Sequence, residues 1–150
     1  MNWDEYFISL LAPISQKSKD RSTKVGAIAV GSNREIKSTG FNGFVRGIND
    51  DKPERHERPL KYKWTEHAER NLIYNAARNG ISLDGCTIFI DWFPCTDCAR
   101  AIIQSGFKAI IIDGRNFSEK EKYWNERWKE DMDISKEMLE EAKIGISIIR

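Results

Sequence analysis

Residues 67–112 read HAERNLIYNAARNGISLDGCTIFIDWFPCTDCARAIIQSGFKAIII, and the order of patterns inside this stretch decides the fold. Ala68, Leu72, Ile73, Ala76 and Ala77 recur at helical spacing and stop at Asn79-Gly80, a pair suited to a C-terminal cap. This helix is predicted to begin near Thr65. Cys86 to Ile90 follows as a short strand. Ala99, Ile102 and Ile103 then mark the buried stripe of another helix, closed by Gly106. Ala109 to Ile112 is an unbroken apolar run, which predicts a central strand covered on both faces.

Working outward, Tyr6, Phe7, Leu10, Leu11 and Ile14 fall at helical spacing. They precede Val25 to Val30 and Ile36 to Phe41, two strand-like runs around a polar turn at Ser32-Asn33. The prediction is a helix followed by a β-hairpin. Residues 42–64 carry Gly43, Gly47, Pro53 and Pro59 among many charges, the pattern of a long irregular connection over a site. Beyond residue 112, Ser118-x-x-Glu121 has the form of a capping box opening a helix with Trp124 and Trp128. Ile134, Met138, Leu139 and Ala142 mark a further helix, and Ile146 to Ile149 a last strand. A helical crossover joins the last two strands, so they are expected to lie parallel, since antiparallel neighbours need only a tight turn. The sum is an α/β fold in three layers, a five-stranded mixed sheet between helices. Trp124 and Trp128 are expected at an oligomer interface, where tryptophan is enriched.

At 150 residues and 40% hydrophobic side chains, the chain is sized for one domain, residues 1–150, whose core needs no disulfide staples. Lys and Arg total 24 against 23 Asp and Glu, a net charge of +1, which leaves no global field to attract nucleic acid or an anionic membrane. The first residues, MNWDEYFISLLAP, place acids where a secretion signal needs bases, and no apolar run approaches the roughly 20 residues of a membrane span. A soluble, cytoplasmic protein is the expectation. Three cysteines are an odd number, and Cys95-x-x-Cys98 in a reducing compartment points to metal or redox chemistry before disulfides.

The residues that carry chemistry are His67-Ala68-Glu69 and Pro94-Cys95-Thr96-Asp97-Cys98. His67 falls in the first turn of one helix and both cysteines in the first turn of the next, so two helix N-termini can converge on one ion. Cys95 and Cys98, three apart, share a side of their helix, whereas His67 and Glu69, two apart, would diverge on a helix flank. End-on presentation removes that conflict and sets two positive dipole ends beside the thiolates. Three protein ligands leave the fourth tetrahedral position of Zn2+ to water, which marks a catalytic rather than a closed structural site. Zinc lowers the pKa of such a water to about 7. Taken alone, Cys95-x-x-Cys98 also fits a redox pair or half of a structural zinc site. The latter needs a fourth ligand, and its candidates are Cys86, read as a buried strand residue, and His56, read as a solvated loop residue.

Together the two motifs resemble the H-x-E and P-C-x-x-C signature of zinc-dependent base deaminases, in which Glu69 would shuttle protons from water to the ring nitrogen and help expel ammonia. More residues narrow the resemblance: Ser18-Lys19-Asp20, Val25-Gly26-Ala27, Gly40-Phe41-Asn42-Gly43, Gly47, Asp50-Asp51, Lys61-Tyr62, Asn71 and Ala99. Over residues 5–113 the chain resembles the deoxycytidylate (dCMP) deaminase branch of the cytidine deaminase superfamily. The family pattern G-Y-N-G-x-P-x-G is met with Phe41 in place of Tyr and Val45 in place of Pro. The resemblance implies a cytidine-deaminase-like fold, a bound Zn2+, and hydrolysis of the small-molecule cytosine nucleotide dCMP to dUMP and ammonia. It also implies that Asn42 contacts the nucleoside, that the Ala68 backbone N–H contacts the base, and that a deoxynucleoside triphosphate effector regulates a homo-oligomer. Free cytidine deaminases resemble C-A-E at the first ligand, so His67 favours the nucleotide or nucleic-acid branches. Deamination of dCTP or deoxycytidine stays open, as does a base in RNA or single-stranded DNA; the last calls for a basic groove, which the charge balance disfavours. Lys24, Lys61, Tyr62, Arg70 and Asn71 flank the expected pocket as candidates for substrate binding. Trp92 and Phe93 are placed to stack on or wall the base.

Overall fold

The computed structural model describes residues 1–115 and 117–150. Helix α1 (Trp3–Ser15) opens on a reciprocal cap: the Asn2 side chain accepts from the Glu5 N–H and the Glu5 carboxylate from the Asn2 N–H, both at 2.9 Å. Strands β1 (Gly26–Val30) and β2 (Ile36–Phe41) form the antiparallel hairpin. The irregular connection holds β3 (Gly43–Phe44), a 3₁₀ turn at Pro53–His56, α2 (Lys61–Trp64) and β4 (Thr65–Glu66). Then follow α3 (Ala68–Arg78), β5 (Thr87–Ile90), α4 (Thr96–Gln104) and β6 (Ala109–Asp113), and after them α5 (Phe117–Arg127), α6 (Lys129–Glu141) and β7 (Gly145–Ile149).

Five strands make one sheet in the order β2-β1-β5-β6-β7, antiparallel across β2, β1 and β5 and parallel from β5 to β7. The mixed sheet and the parallel last pair are as the helical crossovers require. Alternation along each strand sorts the side chains. Ala27, Ala29, Ile88, Ile90, Ile110 and Ile112 meet Leu72, Ala99, Ile102 and Leu139 of α3, α4 and α6 in the main core. Ile28, Val30 and Phe89 point the other way, onto Phe7, Ile8 and Leu11 of α1. The sheet is therefore the middle of three layers.

Small residues let α3 lie close. A Cβ built on Gly40 of β2 would sit 2.9 Å from Leu72 Cα and nearer still to Ala68 O and Leu72 N, so only glycine fits beneath the helix. The Ser38 hydroxyl and the Asn75 amide add bonds across this junction, donating to Leu72 O and Thr39 O at 2.8 Å each. That contact fixes where the N-terminus of α3, and with it His67, is held.

Several local expectations change. Helix α3 begins at Ala68 rather than near Thr65, because Thr65 and Glu66 pair with Phe44 and Gly43 as a separate two-stranded sheet. Ile111 is half-buried while Ile110 and Ile112 are fully buried, since α1 lies over β1, β2 and β5 and reaches only the edge of β6. Ser118 lies inside α5, whose first residue is Phe117, so it is not the cap. Trp124 is only 7% exposed and packs against Trp92, Phe93 and Phe117, which makes it core instead of interface; Trp128 stays exposed. Among the described residues, no helix is long and apolar enough to cross a membrane.

Candidate active site

Two helix N-termini meet at the site. His67 is the N-cap residue of α3 and Cys95 that of α4, and neither helix start carries a side-chain cap from its own N-cap residue. Buried Pro94 precedes Cys95, and a residue before proline, here Phe93, disfavours helical backbone, which keeps α4 from starting earlier. The loop is then held from α6. The Ser135 hydroxyl donates to Pro94 O at 2.6 Å, and the Asp131 carboxylate accepts from the Thr96 N–H at 3.1 Å and from its hydroxyl at 2.7 Å. Asp131 thus caps α4 from a distance of 35 residues in sequence.

The Nδ1 atom of His67 and the Sγ atoms of Cys95 and Cys98 all lie within 4.8 Å of one another. His67 Nδ1 is 3.4 Å from Cys95 Sγ and 3.5 Å from Cys98 Sγ. A tetrahedral zinc with Zn–N near 2.05 Å and Zn–S near 2.3 Å separates its nitrogen and sulfur ligands by about 3.5 Å. The donor set therefore fits zinc in both chemistry and spacing. Its protons point the same way. Cys95 is pushed down to about 4, first by the hydrogen bond from Cys98 and, against the opposing effect of burial, by His67. Cys98 is held well above the usual thiol range by that same hydrogen bond, by burial and by the charge of Glu69. Both cysteines would bind a metal ion as thiolates, and the lowered Cys95 favours that form.

Glu69 is 4% exposed, and its carboxylate lies 2.9 Å from Cys98 Sγ, so it stands directly beside the metal position. The neighbouring cation is Arg70, whose guanidinium donates to Glu66 at 2.6 Å and to Cys98 Sγ at 3.5 Å. It balances the thiolates from outside the metal position.

Above these groups opens a cavity of about 450 Å³. Of the residues singled out in the sequence, Asn42, Lys61, Tyr62, Ala68, Arg70, Trp92 and Phe93 line it together with the zinc ligands and Glu69. Lys24 is exposed outside it, and Asn71 turns its amide to Phe41 O at 2.8 Å, also outside the lining. Asn42 braces the wall, accepting from the Val25 N–H and donating to Thr23 O, both at 2.8 Å, with one amide hydrogen and one lone pair left over. Ala68, as the first residue of α3, has an N–H with no partner inside the helix. Lys61 is 8% exposed and pairs with Asp20 at 3.3 Å, tying the long connection to the loop before β1. Trp92 and Phe93 form an aromatic wall backed by Trp124 of α5.

The sequence reading missed Arg58, Thr96 and Asp131, which also line the cavity. Asp131 carries no local signal, because only the packing of α6 on α4 brings it to Thr96. Arg58 stands among many charges in the long connection, and nothing in its spacing separates it from its neighbours. His56 is half-buried, its ring 4.9 Å from that of Phe44, and it sits apart from the metal position along with Cys86.

A three-layer α/β fold with a three-ligand zinc pocket at two helix starts, and a carboxylate beside the open position, defines a zinc hydrolase of the deaminase class. The sequence model of the cytidine and deoxycytidylate deaminase zinc-binding region matches residues 1–113, and the chain belongs to that family. An uncharacterized deaminase in the luxG 3′ region of Aliivibrio fischeri is 36% identical over 145 residues, covering 97% of this chain and 92% of that one. The deoxycytidylate deaminase of Homo sapiens is 36% identical over 117 residues, covering 75% of this chain and 65% of that one. Among solved structures, dCMP deaminase from cyanophage S-TIM5 in complex with dCMP and dUMP superimposes with a TM-score of 0.74 at 25% identity. That match covers 97% of this chain and 95% of the cyanophage chain.

Proposed function

We propose that the chain, as a single domain over residues 1–150, converts dCMP and water to dUMP and ammonia. The observation that carries this reading is the zinc-fitting His67, Cys95 and Cys98 set with the Glu69 carboxylate 2.9 Å from Cys98 Sγ in an aromatic-walled cavity. Relatives and a solved structure that bear the name deoxycytidylate deaminase support the choice of substrate.

Zinc, when bound, supplies the Lewis acidity that brings the pKa of a water to about 7. Glu69 takes a proton from the attacking water and passes it to the ring nitrogen N3 as C4 becomes tetrahedral. It then takes the remaining proton from the new C4 hydroxyl and delivers it to the amine, so that the C4–N bond breaks, the C4 carbonyl forms and ammonia leaves. The free N–H of Ala68 contacts the base, and Trp92 and Phe93 wall it. Asn42 offers its remaining donor and acceptor to the deoxyribose. Arg70 keeps the thiolate charge balanced. Resemblance to the family further supports a cytoplasmic homo-oligomer with a deoxynucleoside triphosphate effector.

Ammonia release from dCMP, dCTP, deoxycytidine, cytosine and a single-stranded oligonucleotide tests this reading. The dCMP rate is expected to exceed the others; turnover of another member without dCMP overturns the substrate assignment.

A further inference from the structure

Charge pairing around the cavity singles out one residue. Lys61 is paired with Asp20, and Arg70 with Glu66 and Asp97. Of the lining carboxylates, Asp131 accepts from Thr96, and Glu69 lies beside Cys98 at the metal position. Arg58 also lines the cavity, yet it makes no salt bridge among the described residues. Among the described residues, its side chain bonds from Nε to the Tyr62 hydroxyl at 2.8 Å and to no other group.

That bond leaves the rest of the pair free. A guanidinium has five N–H donors in a planar fork, so four remain on Arg58 after Nε is used. Tyr62 accepts from Arg58 through its oxygen, and its own O–H proton stays available to donate. Four N–H groups and one O–H around a fixed cation match the oxygens of a phosphate, and a bidentate fork binds such a group better than a point charge does. Depth agrees with this. Glu69 and Cys98 are 4% and 0% exposed on the inner side of the metal position and His67 is exposed, while Arg58 and Tyr62 are both exposed where the cavity opens. A nucleotide with its base at the metal presents its phosphate toward that mouth. A nucleoside has no anion to meet an unpaired cation there.

We infer that Arg58, held by Tyr62, binds the 5′-phosphate of the substrate and makes the enzyme select a nucleotide over a nucleoside. The inference rests on the deaminase reading above and assigns the phosphate end of that same site. Other lining cations are already neutralised, so an incoming phosphate has Arg58 as its counter-ion.

The test compares kcat/KM for dCMP with that for deoxycytidine, alongside binding of dUMP and deoxyuridine, in zinc-loaded wild type, Arg58→Gln, Arg58→Lys and Tyr62→Phe. Arg58→Gln is expected to lower the dCMP-to-deoxycytidine ratio by about 10- to 100-fold, mainly through KM, and to weaken dUMP binding in step. Arg58→Lys restores only part of the ratio, because charge returns without the fork. Tyr62→Phe lowers it by about 3- to 10-fold. A wild type selective for dCMP whose ratio stays within about threefold in Arg58→Gln overturns this assignment alone. A wild type that treats dCMP and deoxycytidine alike, and binds dUMP no better than deoxyuridine, overturns both this assignment and the substrate reading.

Discussion

Replacing Asp131 with alanine cuts the tie between α6 and the loop that carries both cysteines. Two bonds are lost: the carboxylate accepts from the Thr96 N–H at 3.1 Å and from the Thr96 hydroxyl at 2.7 Å. The N–H belongs to the first turn of α4, so its loss resembles removal of an N-cap, about 1 kcal/mol. The hydroxyl bond to a half-buried carboxylate adds about 1.5 kcal/mol. The sum is about 2.5 kcal/mol, which for a chain of this size lowers Tm by about 5–10 °C. Urea melts of the zinc-loaded protein measure it, and chelator competition on the same samples is expected to show zinc held about tenfold more weakly. Thr96→Val removes only the hydroxyl bond and is expected to cost about 1.5 kcal/mol. The double substitution should then be less destabilised than the sum of the two singles by about 1 kcal/mol or more. A shift below about 0.5 kcal/mol for Asp131→Ala, or full additivity with Thr96→Val, refutes the claim that this contact braces the metal loop.

Gly40→Ala drives a methyl group into the α3 backbone at Ala68 and Leu72, which neither helix nor strand can yield cheaply. It is expected to destabilise by about 3 kcal/mol and to weaken zinc binding by displacing His67; a Tm within about 2 °C of wild type contradicts the packing argument. Asp91 gives a pH signature. Burial, only partly offset by the Gly26 N–H bond at 2.7 Å, lifts its carboxyl from the ordinary 3.8 to about 6. The native state therefore takes the proton first, and this group's contribution to stability falls as pH rises from about 4 through about 6 and is flat above, a change on the order of 2–3 kcal/mol. Asn at position 91 keeps an acceptor for Gly26 and removes the titration. Asp91→Asn is expected to be more stable than wild type at pH 7.5, with the difference vanishing near pH 4; parallel stability–pH curves contradict it.

What could be read from the residues themselves was local or periodic. The helical stripe of Leu72 and Ala76, the hairpin around residues 32–33 and the crossover between β6 and β7 rest on spacing alone, and the structure has them. His67, Cys95 and Cys98 were legible because metal-ligating residue types recur at the close spacings of H-x-E and P-C-x-x-C, one helix and one strand apart. Contacts between distant segments were not. The start of α3 was misplaced because Thr65 and Glu66 pair with a strand more than twenty residues earlier, and a helical pattern cannot register such a partner. Trp124 was read as interface because tryptophan is enriched at such surfaces, which says nothing of what a given ring packs against. Its ring is buried by Trp92 and Phe93, which come from another element. Arg58 became visible only when Lys61 and Arg70 were seen to be paired already.

The central claim is that the zinc ligands hold the metal while Glu69 moves the protons. Glu69→Gln leaves His67, Cys95 and Cys98 in place and removes the carboxylate beside them. Zinc content and dCMP turnover measured on the same purified sample decide the matter. The account predicts one zinc per chain, an unchanged fold and a loss of about 10³-fold or more in kcat. Turnover within about tenfold of wild type with zinc fully bound contradicts it.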